Sequence, residues 1–247
     1  MTLRVQVHGA GGRMGAVVTA AIAKEPDLQL VAATGRADDL GGTLRAQQPQ
    51  VLVEFTTPDH VYEHVRTALL AGVHVVSGTT GLAPARQKEL GQLATERKLG
   101  CLLAPNFALG MLLLQRFAVQ AARYFPDVEI VEMHHDQKHD APSGTAIATA
   151  RRIGAVLTPK SQSTRAPGVE LVPHVRGGRE AGVPIHSIRL PGLLAHQEVL
   201  LGGPGQVLTL RHDALDRRAY VPGVLLAIRR IQQRTGLLDS LDALLDD

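Results

Sequence analysis

Residues 129–146, EIVEMHHDQKHDAPSGTA, crowd two adjacent imidazoles, an ammonium group and glycine-backbone donors between an apolar run and a helix start. That combination suits an anionic substrate and a reaction in which charge changes at one atom. Glu129-Ile130-Val131-Glu132-Met133 alternates as a strand does, and Ser143-Gly144-Thr145 leads into the helical run Ala146-Ile147-Ala148. The cluster is therefore expected at a strand end facing a helix N-terminus, whose free backbone N–H groups bind carboxylates. If the strand persists, His134 and His135 point to opposite sides, so at most one of them meets the reacting atom. His134, His135 and His139 with Asp136 or Asp140 also suggest metal ligands, but their spacing lacks the i, i+4 helical pair of common zinc motifs, and no metal is expected. For this segment alone a solvated polar loop is the competing explanation.

A second signal stands near the other end. Leu3-Arg4-Val5-Gln6-Val7-His8 reads as a strand, Gly9-Ala10-Gly11-Gly12-Arg13-Met14-Gly15 as a glycine loop, and the run from Ala16 to Ala23 as a helix. The glycine spacing is GxGGxxG, with Met14 in the third glycine position of the strict dinucleotide fingerprint and Gly15 beside it. Strand, glycine loop and helix in that order permit a tight turn, close backbone approach and an anion at the helix N-terminus.

Together the two segments resemble the 4-hydroxy-tetrahydrodipicolinate reductase family of the lysine pathway. The family pattern E-x-x-E-x-H-H-x-x-K-x-D-x-P-S-G-T-A is met by Glu129, Glu132, His134, His135, Lys138, Asp140, Pro142, Ser143, Gly144, Thr145 and Ala146. GAGGRMG at 9–15, GTTG at 78–81 and APNF at 104–107 extend the likeness in order along nearly the whole chain. The resemblance implies a reductase that uses NADPH or NADH on a cyclic dicarboxylate, in a homotetramer. It makes His134 the general acid or charge stabiliser and Lys138 the proton donor. His135, Ser143, Gly144, Thr145 and Arg217 would bind substrate, with Arg218 so close to Arg217 that the register stays open. Gly9, Ala10, Gly11, Gly12, Arg13, Met14, Arg36, Gly78, Thr79, Thr80, Ala104, Pro105, Asn106 and Phe107 would bind the cofactor. Two departures stand out: Ala108 replaces a serine and Met111 an asparagine frequent among relatives, which implies weaker polar support behind the 104–107 loop.

Composition agrees with this reading without producing it. The chain has 247 residues, 45% of them hydrophobic, enough for two modest cores. A net charge of +3, 3% aromatic residues and no tryptophan leave few base-stacking platforms, so no nucleic-acid partner is expected. No apolar run approaches a membrane span, and no basic, apolar leader opens the sequence, so neither membrane nor secretion is expected. The single cysteine, Cys101, excludes an internal disulfide and reads as a buried strand residue; the expected address is cytoplasmic.

The elements that must position these groups alternate at first. Strands are expected at Leu28–Thr34, Val51–Phe55, Val73–Ser77 and Cys101–Ala104, with helices at Pro58–Ala71, capped by Thr57, and at Pro84–Lys98. The 36–51 region looks short, as if an element on the adenosine side had been lost. Past Gly110, a helix at Met111–Tyr124, a strand at 127–134, a helix at 144–157 and a surface loop at 158–168 are expected. Strands Leu171–Arg176, Ile185–Leu190, Gln197–Leu201 and Val207–His212 follow without helices between them, which indicates an antiparallel or mixed sheet. The helical run Ala219–Gln233 closes the pattern. The fold class is thus α/β: a Rossmann-type, doubly wound parallel sheet at 1–106, a smaller α+β substrate and oligomerisation domain with a mixed sheet at 107–216, and a C-terminal helical segment at 217–247 that returns to the first domain. The two sites would close by rotation about the crossings near Asn106–Gly110 and Arg211–Asp216.

Cofactor choice turns on the end of the second strand. The acid that normally accepts the adenosine ribose hydroxyls is replaced by Gly35, followed by Arg36, which favours a 2′-phosphate and hence NADPH. Asp38 or Asp39 folding back over the ribose would restore NADH. Two other functions share part of the pattern. An amino-acid or homoserine-type dehydrogenase would share the glycine loop but has no reason to carry HHxxK and PSGT. A non-catalytic dinucleotide sensor would need no poised lysine.

Overall fold

β1 (Leu3–His8) buries Val5, Gln6, Val7 and His8 alike, the mark of a central parallel strand covered on both faces. The structure, a computed structural model, describes residues 2–157 and 169–245; the loop expected at 158–168 lies outside the described residues. From β1 the chain runs through α1 (Arg13–Ile22), β2 (Leu28–Thr34), α2 (Leu40–Gln47), β3 (Val51–Glu54), α3 (Val61–Leu70), β4 (His74–Ser77), α4 (Pro84–Glu96) and β5 (Gly100–Leu103). It continues with α5 (Leu109–Ala122), β6 (Asp127–His134), α6 (Gly144–Gly154), β7 (Gly178–Glu180), β8 (Val183–Arg189), β9 (Ala195–Gly203) and β10 (Gln206–Ala214). A 3-10 turn at Arg217–Tyr220 then leads into α7 (Val221–Arg230) and β11 (Gly236–Leu238).

Two compact units result. The first comprises Met1–Ala108 and Arg217–Asp247, the second Leu109–Asp216. In the first, a six-stranded sheet in the order β11-β5-β4-β3-β1-β2 is parallel throughout. The order reverses direction between β1 and β3, and a doubly wound sheet binds its ligand outside the carboxyl ends at such a switch. Leu44, Leu52, Val65, Leu69, Val75, Leu90 and Cys101 fuse α2, α3 and α4 to the sheet in one core. Each such side chain stabilises the unit by about 1.5–3 kcal/mol when fully buried. Burial pushes the Cys101 thiol up to about 12, so it serves as a small apolar residue and not as a nucleophile.

The second unit holds a mixed sheet in the order β10-β9-β6-β8-β7. β6 pairs antiparallel with β9 but parallel with β8, and that parallel register sets His134 beside Arg189.

Several sequence expectations need correction. α3 starts at Val61 with His60 as its N-cap, because Pro58–His60 forms a turn in which the Thr57 carbonyl accepts from both His60 and Val61 amides. The 36–51 region contains an element, α2, whose start is capped by the Asp39 carboxylate accepting from the Gly42 amide at 3.0 Å. Leu171–Arg176 is not a strand. Pro173 removes a ladder donor, His174 takes a left-handed φ of 62°, and Leu171 and Val172 are 92% and 61% exposed, so no face of this segment is buried. The missing strand is β7, just beyond Gly177. β11, after α7, was not expected at all.

Candidate active site

Glu132 is fully buried, and its carboxylate is the hub of the second unit's polar cluster. On one oxygen it accepts from His134 Nδ1 at 2.5 Å and Arg189 Nη1 at 3.1 Å. On the other it accepts from Arg189 Nη2 at 2.8 Å and the Ser143 amide at 3.3 Å. Burial alone would raise the carboxyl, but the hydrogen bonds from His134, Arg189 and Ser187 outweigh it and hold it at about 2. An ionised acceptor requires the proton on His134 Nδ1, which leaves Nε2 as the nitrogen free to act. Strand alternation explains the pairing, since Glu132 and His134 share one face of β6.

The same scaffold reaches Lys138. Arg189 Nη2 also donates to the Asp140 carbonyl at 2.8 Å, and the Asp140 carboxylate takes Lys138 Nζ at 2.7 and 2.9 Å. His134 and Lys138 are thus tied through Glu132, Arg189 and Asp140 into one hydrogen-bonded chain. The Lys138 hydrogen bond keeps the exposed Asp140 carboxyl below its usual range. Ser143 caps α6 by accepting from Ala146 N at 3.2 Å, while Ser143 itself is buried. The helix leaves the Gly144 and Thr145 amides outside its own ladder, and a β-carbon at Gly144 would meet nothing within 4 Å. A carboxylate can therefore approach this turn closely. His135 is half-buried just past β6, with its carbonyl accepting from Lys138 N at 3.2 Å. Among the described residues no group of His, Cys, Asp and Glu side chains is arranged to hold a metal ion.

In the first unit the glycine loop follows β1. Gly9 has φ +86°, and a β-carbon there would lie 2.2 Å from the Phe55 carbonyl oxygen. Gly15 takes the helix-packing role, since its β-carbon would lie 2.0 Å from the Gly9 oxygen. Gly11 is the reverse case, exposed and with nothing within 4 Å of such a carbon. Gly12 is the N-cap of α1 and offers no side-chain cap, so the amides of Arg13 and Met14 face outward from the first turn. Ala10 is fixed by its amide on the Thr34 carbonyl at 3.0 Å.

Of the remaining candidates of this unit, those at 78–80 follow β4 and those at 104–107 follow β5. Gly78 lies against Phe55, whose ring a β-carbon would meet at 2.1 Å, and Thr79 Oγ1 accepts from Thr56 N at 2.9 Å. Thr80 and Pro105 are exposed. Ala104 and Phe107 are buried, and the Phe107 ring packs 5.9 Å from that of Phe55, so both present backbone rather than side chain to a ligand. Asn106 Oδ1 accepts from the Ala108 amide at 2.9 Å, which gives the loop polar support where the serine is missing; Ala108 and Met111 are both buried. Arg36 is exposed beyond β2. Asp38 accepts from the Gly35 amide at 2.7 Å and Asp39 caps α2, so each carboxylate is engaged by its own backbone. Arg217 belongs to this unit, in the 3-10 turn before α7.

Sequence reasoning assigned no role to Glu132 or Arg189 and weighed Asp140 only as a metal ligand. The i, i+2 spacing of Glu132 and His134 was the available signal for Glu132, and Lys138-x-Asp140 for Asp140. Arg189 had none, because only the β6–β8 register brings it there.

Comparison with known proteins covers both units. Residues 3–107 match the model of the dihydrodipicolinate reductase N-terminus and residues 110–245 that of its C-terminus. A 4-hydroxy-tetrahydrodipicolinate reductase of Thermosynechococcus vestitus is 45% identical over 98% of this chain and 97% of its own. One of Coxiella burnetii is 43% identical over 99% of this chain and all (100%) of its own. A solved dipicolinate-bound dihydrodipicolinate reductase from Paenisporosarcina superposes with a TM-score of 0.91 at 38% identity, over 99% of this chain and 100% of that one. A probable dehydrogenase from Thermotoga maritima, 11% identical with a TM-score of 0.65, shares the fold alone. Two family models spanning both units, and relatives above 40% identity along the full length, lead to one statement: the chain belongs to the dihydrodipicolinate reductase family.

Proposed function

We propose that this protein reduces 4-hydroxy-tetrahydrodipicolinate to tetrahydrodipicolinate, in the diaminopimelate route to lysine, with NADPH preferred over NADH. The observation that carries the reading is the His134–Glu132–Arg189–Asp140–Lys138 chain, which presents one imidazole nitrogen and one ammonium from a single rigid frame. The overall change consumes substrate, reduced cofactor and a proton, and releases tetrahydrodipicolinate, oxidised cofactor and water. The bound cofactor supplies the hydride. His134, held through Nδ1, turns Nε2 toward the substrate and stabilises the charge that develops as the hydroxyl departs. Lys138 donates the proton that the reaction consumes, which leaves with the hydroxyl as water. The Gly144 and Thr145 amides, with His135, bind the carboxylates; Ser143 shapes this turn as the helix cap. Oxidation of cofactor on adding freshly generated substrate tests the reading. No turnover with it, but turnover with an amino acid or homoserine, would favour the dehydrogenase alternative; cofactor binding without any turnover would favour the sensor.

The glycine loop fits a dinucleotide, because the space above Gly11 is the one a β-carbon would enter. Gly11→Ala is expected to keep the melting temperature of the parent and to weaken NADPH binding roughly ten-fold or more. Gly15→Ala, which forces a backbone shift, is expected to lower both. Melting curves and NADPH titration of the two variants separate the roles, and equal behaviour would contradict them.

Preference for NADPH rests on Gly35 and Arg36, and the engagement of Asp38 and Asp39 by backbone amides supports it. Arg36→Ala is expected to reduce kcat/KM for NADPH roughly ten- to hundred-fold, the worth of a charge-assisted hydrogen bond, with little change for NADH. Equal or better use of NADH by the parent, with Arg36→Ala indifferent to cofactor, would show that an aspartate has taken over the ribose.

The reading includes a cytoplasmic homotetramer. Among the described residues no helix is long and apolar enough to cross a membrane. The sheet face opposite the buried Ile130, Ile185 and Val199 carries Ile188 at 41% and Val207 at 67% exposure, a surface suited to pairing with other copies. Sedimentation equilibrium at micromolar concentration should give four times the chain mass; a monomer would remove this part of the reading.

A further inference from the structure

Behind the candidate cofactor loops lies a polar cluster that the reaction does not use. Glu54, the last residue of β3, is fully buried. One carboxylate oxygen accepts from the Thr56 amide at 3.1 Å, from the Thr56 hydroxyl, and from His64 Nδ1 at 3.5 Å. The other accepts from the Ser77 hydroxyl at 2.6 Å, and Ser77 Oγ in turn accepts from the Thr79 amide at 3.2 Å. The Thr56 amide also donates to Thr79 Oγ1. One carboxylate thus gathers the chain leaving β3, the chain leaving β4 and the side chain of His64 on α3. Burial would raise this carboxyl, but donors from His64, Ser77, Thr56 and Thr79 outweigh it and hold it below the usual range. It therefore stays an acceptor on both oxygens.

We propose that Glu54 is a positioning residue for the nicotinamide half of the cofactor, fixing Thr56 and the 78–80 segment at the ends of β3 and β4. This rests on the functional reading, which assigns Gly78, Thr79 and Thr80 to that half. The pyrophosphate side is held separately. The Gly9 and Ala10 amides donate to the Thr34 carbonyl at 2.8 and 3.0 Å, a backbone tie that needs no carboxylate. The hydrogen-bonded path from the Glu54 carboxylate to that side is a long one, through His64 Nε2 and His8 Nε2, 3.3 Å apart, and then His8 Nδ1 to Thr34 Oγ1 at 2.9 Å. Removal of the carboxylate should therefore loosen one half of the cofactor site and spare the other.

The test is titration of Glu54→Gln and Ser77→Ala with NADPH and with 2′-phospho-ADP-ribose, which lacks the nicotinamide. An amide in place of the carboxylate accepts on one side only, so the Kd of Glu54→Gln for NADPH should rise roughly ten-fold while that for 2′-phospho-ADP-ribose stays within about two-fold. Ser77→Ala removes a single link and should shift NADPH in the same direction by roughly three-fold, even if Glu54→Gln folds poorly. A purely structural carboxylate would lower the melting temperature and leave both Kd values, measured on folded protein, unchanged. Unchanged NADPH affinity in both variants, or equal loss of both ligands, would overturn the proposal. Failure of the parent chain to bind NADPH would instead overturn the functional reading on which it rests.

Discussion

Lys138→Ala and His134→Gln are each expected to lower turnover on the order of 100-fold or more, with the dissociation constant for NADPH held within about two-fold. In the proposed reaction both groups answer charge that exists only while the hydride moves, so their loss should fall on kcat and not on nucleotide binding. They should also differ from each other. Lys138 is anchored by Asp140, whose side chain is 64% exposed, so its removal leaves only a solvated carboxylate behind and the fold should be untouched. His134→Gln keeps a donor near Glu132 but cannot present a second nitrogen in the position of Nε2. Single-turnover measurements at saturating substrate give the comparison, with circular dichroism confirming the fold. Near-parental turnover in both variants would remove this segment from the chemistry.

Glu132→Ala should be the most damaging change to the second unit. It leaves the Arg189 guanidinium, 18% exposed, without its counter-charge, and breaking such a pair by deleting one partner costs about 3–5 kcal/mol. His134 would lose its orienting acceptor at the same time, so turnover should fall even in the fraction that remains folded. Glu132→Gln should cost less stability, since Arg189 keeps one acceptor. The pH dependence has a definite sign. The carboxyl lies at about 2 in the folded chain, below the ordinary 4.5, so its contribution is fully present above pH 4.5 and is lost as pH falls through 2. Urea unfolding of the parent and Glu132→Gln should therefore differ most at neutral pH and converge toward pH 2. A gap that widened in acid would mean that Glu132 is protonated in the native state.

How much of this could be read from the sequence depended on how local each signal was. The glycine loop was legible because its meaning lies in seven consecutive residues; only the assignment of the third glycine role, to Gly15 rather than position 14, needed the packing distance. His134 and Lys138 were legible from one segment, and Glu132 was within reach through strand alternation. Arg189 and Ser187 were not, because a parallel strand pair joins segments that no local periodicity relates. The Glu54 cluster was equally hidden, since His8, Thr34, Glu54 and Ser77 meet only where four strands end together. α2 escaped notice because Gly41 and Gly42 depress its propensity and a cap at Asp39 starts it. The apolar run Leu171–Val175 misled for the opposite reason: apolar residues with no face to bury mimic a strand pattern.

The order of the parallel sheet also bears on how the chain is made. Its last strand, β11, extends the ladder from β5, with the Gly236 amide on the Leu99 carbonyl at 2.9 Å, and a β-carbon at Gly100 would lie 2.2 Å from the Ile231 oxygen. β5 therefore waits for residues that the ribosome delivers only after the whole of Leu109–Asp216. Until then the nascent first unit carries an unpaired strand edge and lacks α7, while the inserted unit has β6 to β10 in place and can fold at once. A shortened form of the dinucleotide unit for binding studies should accordingly join Ala108 directly to Arg217 rather than stop at Ala108, so that the closing strand is retained.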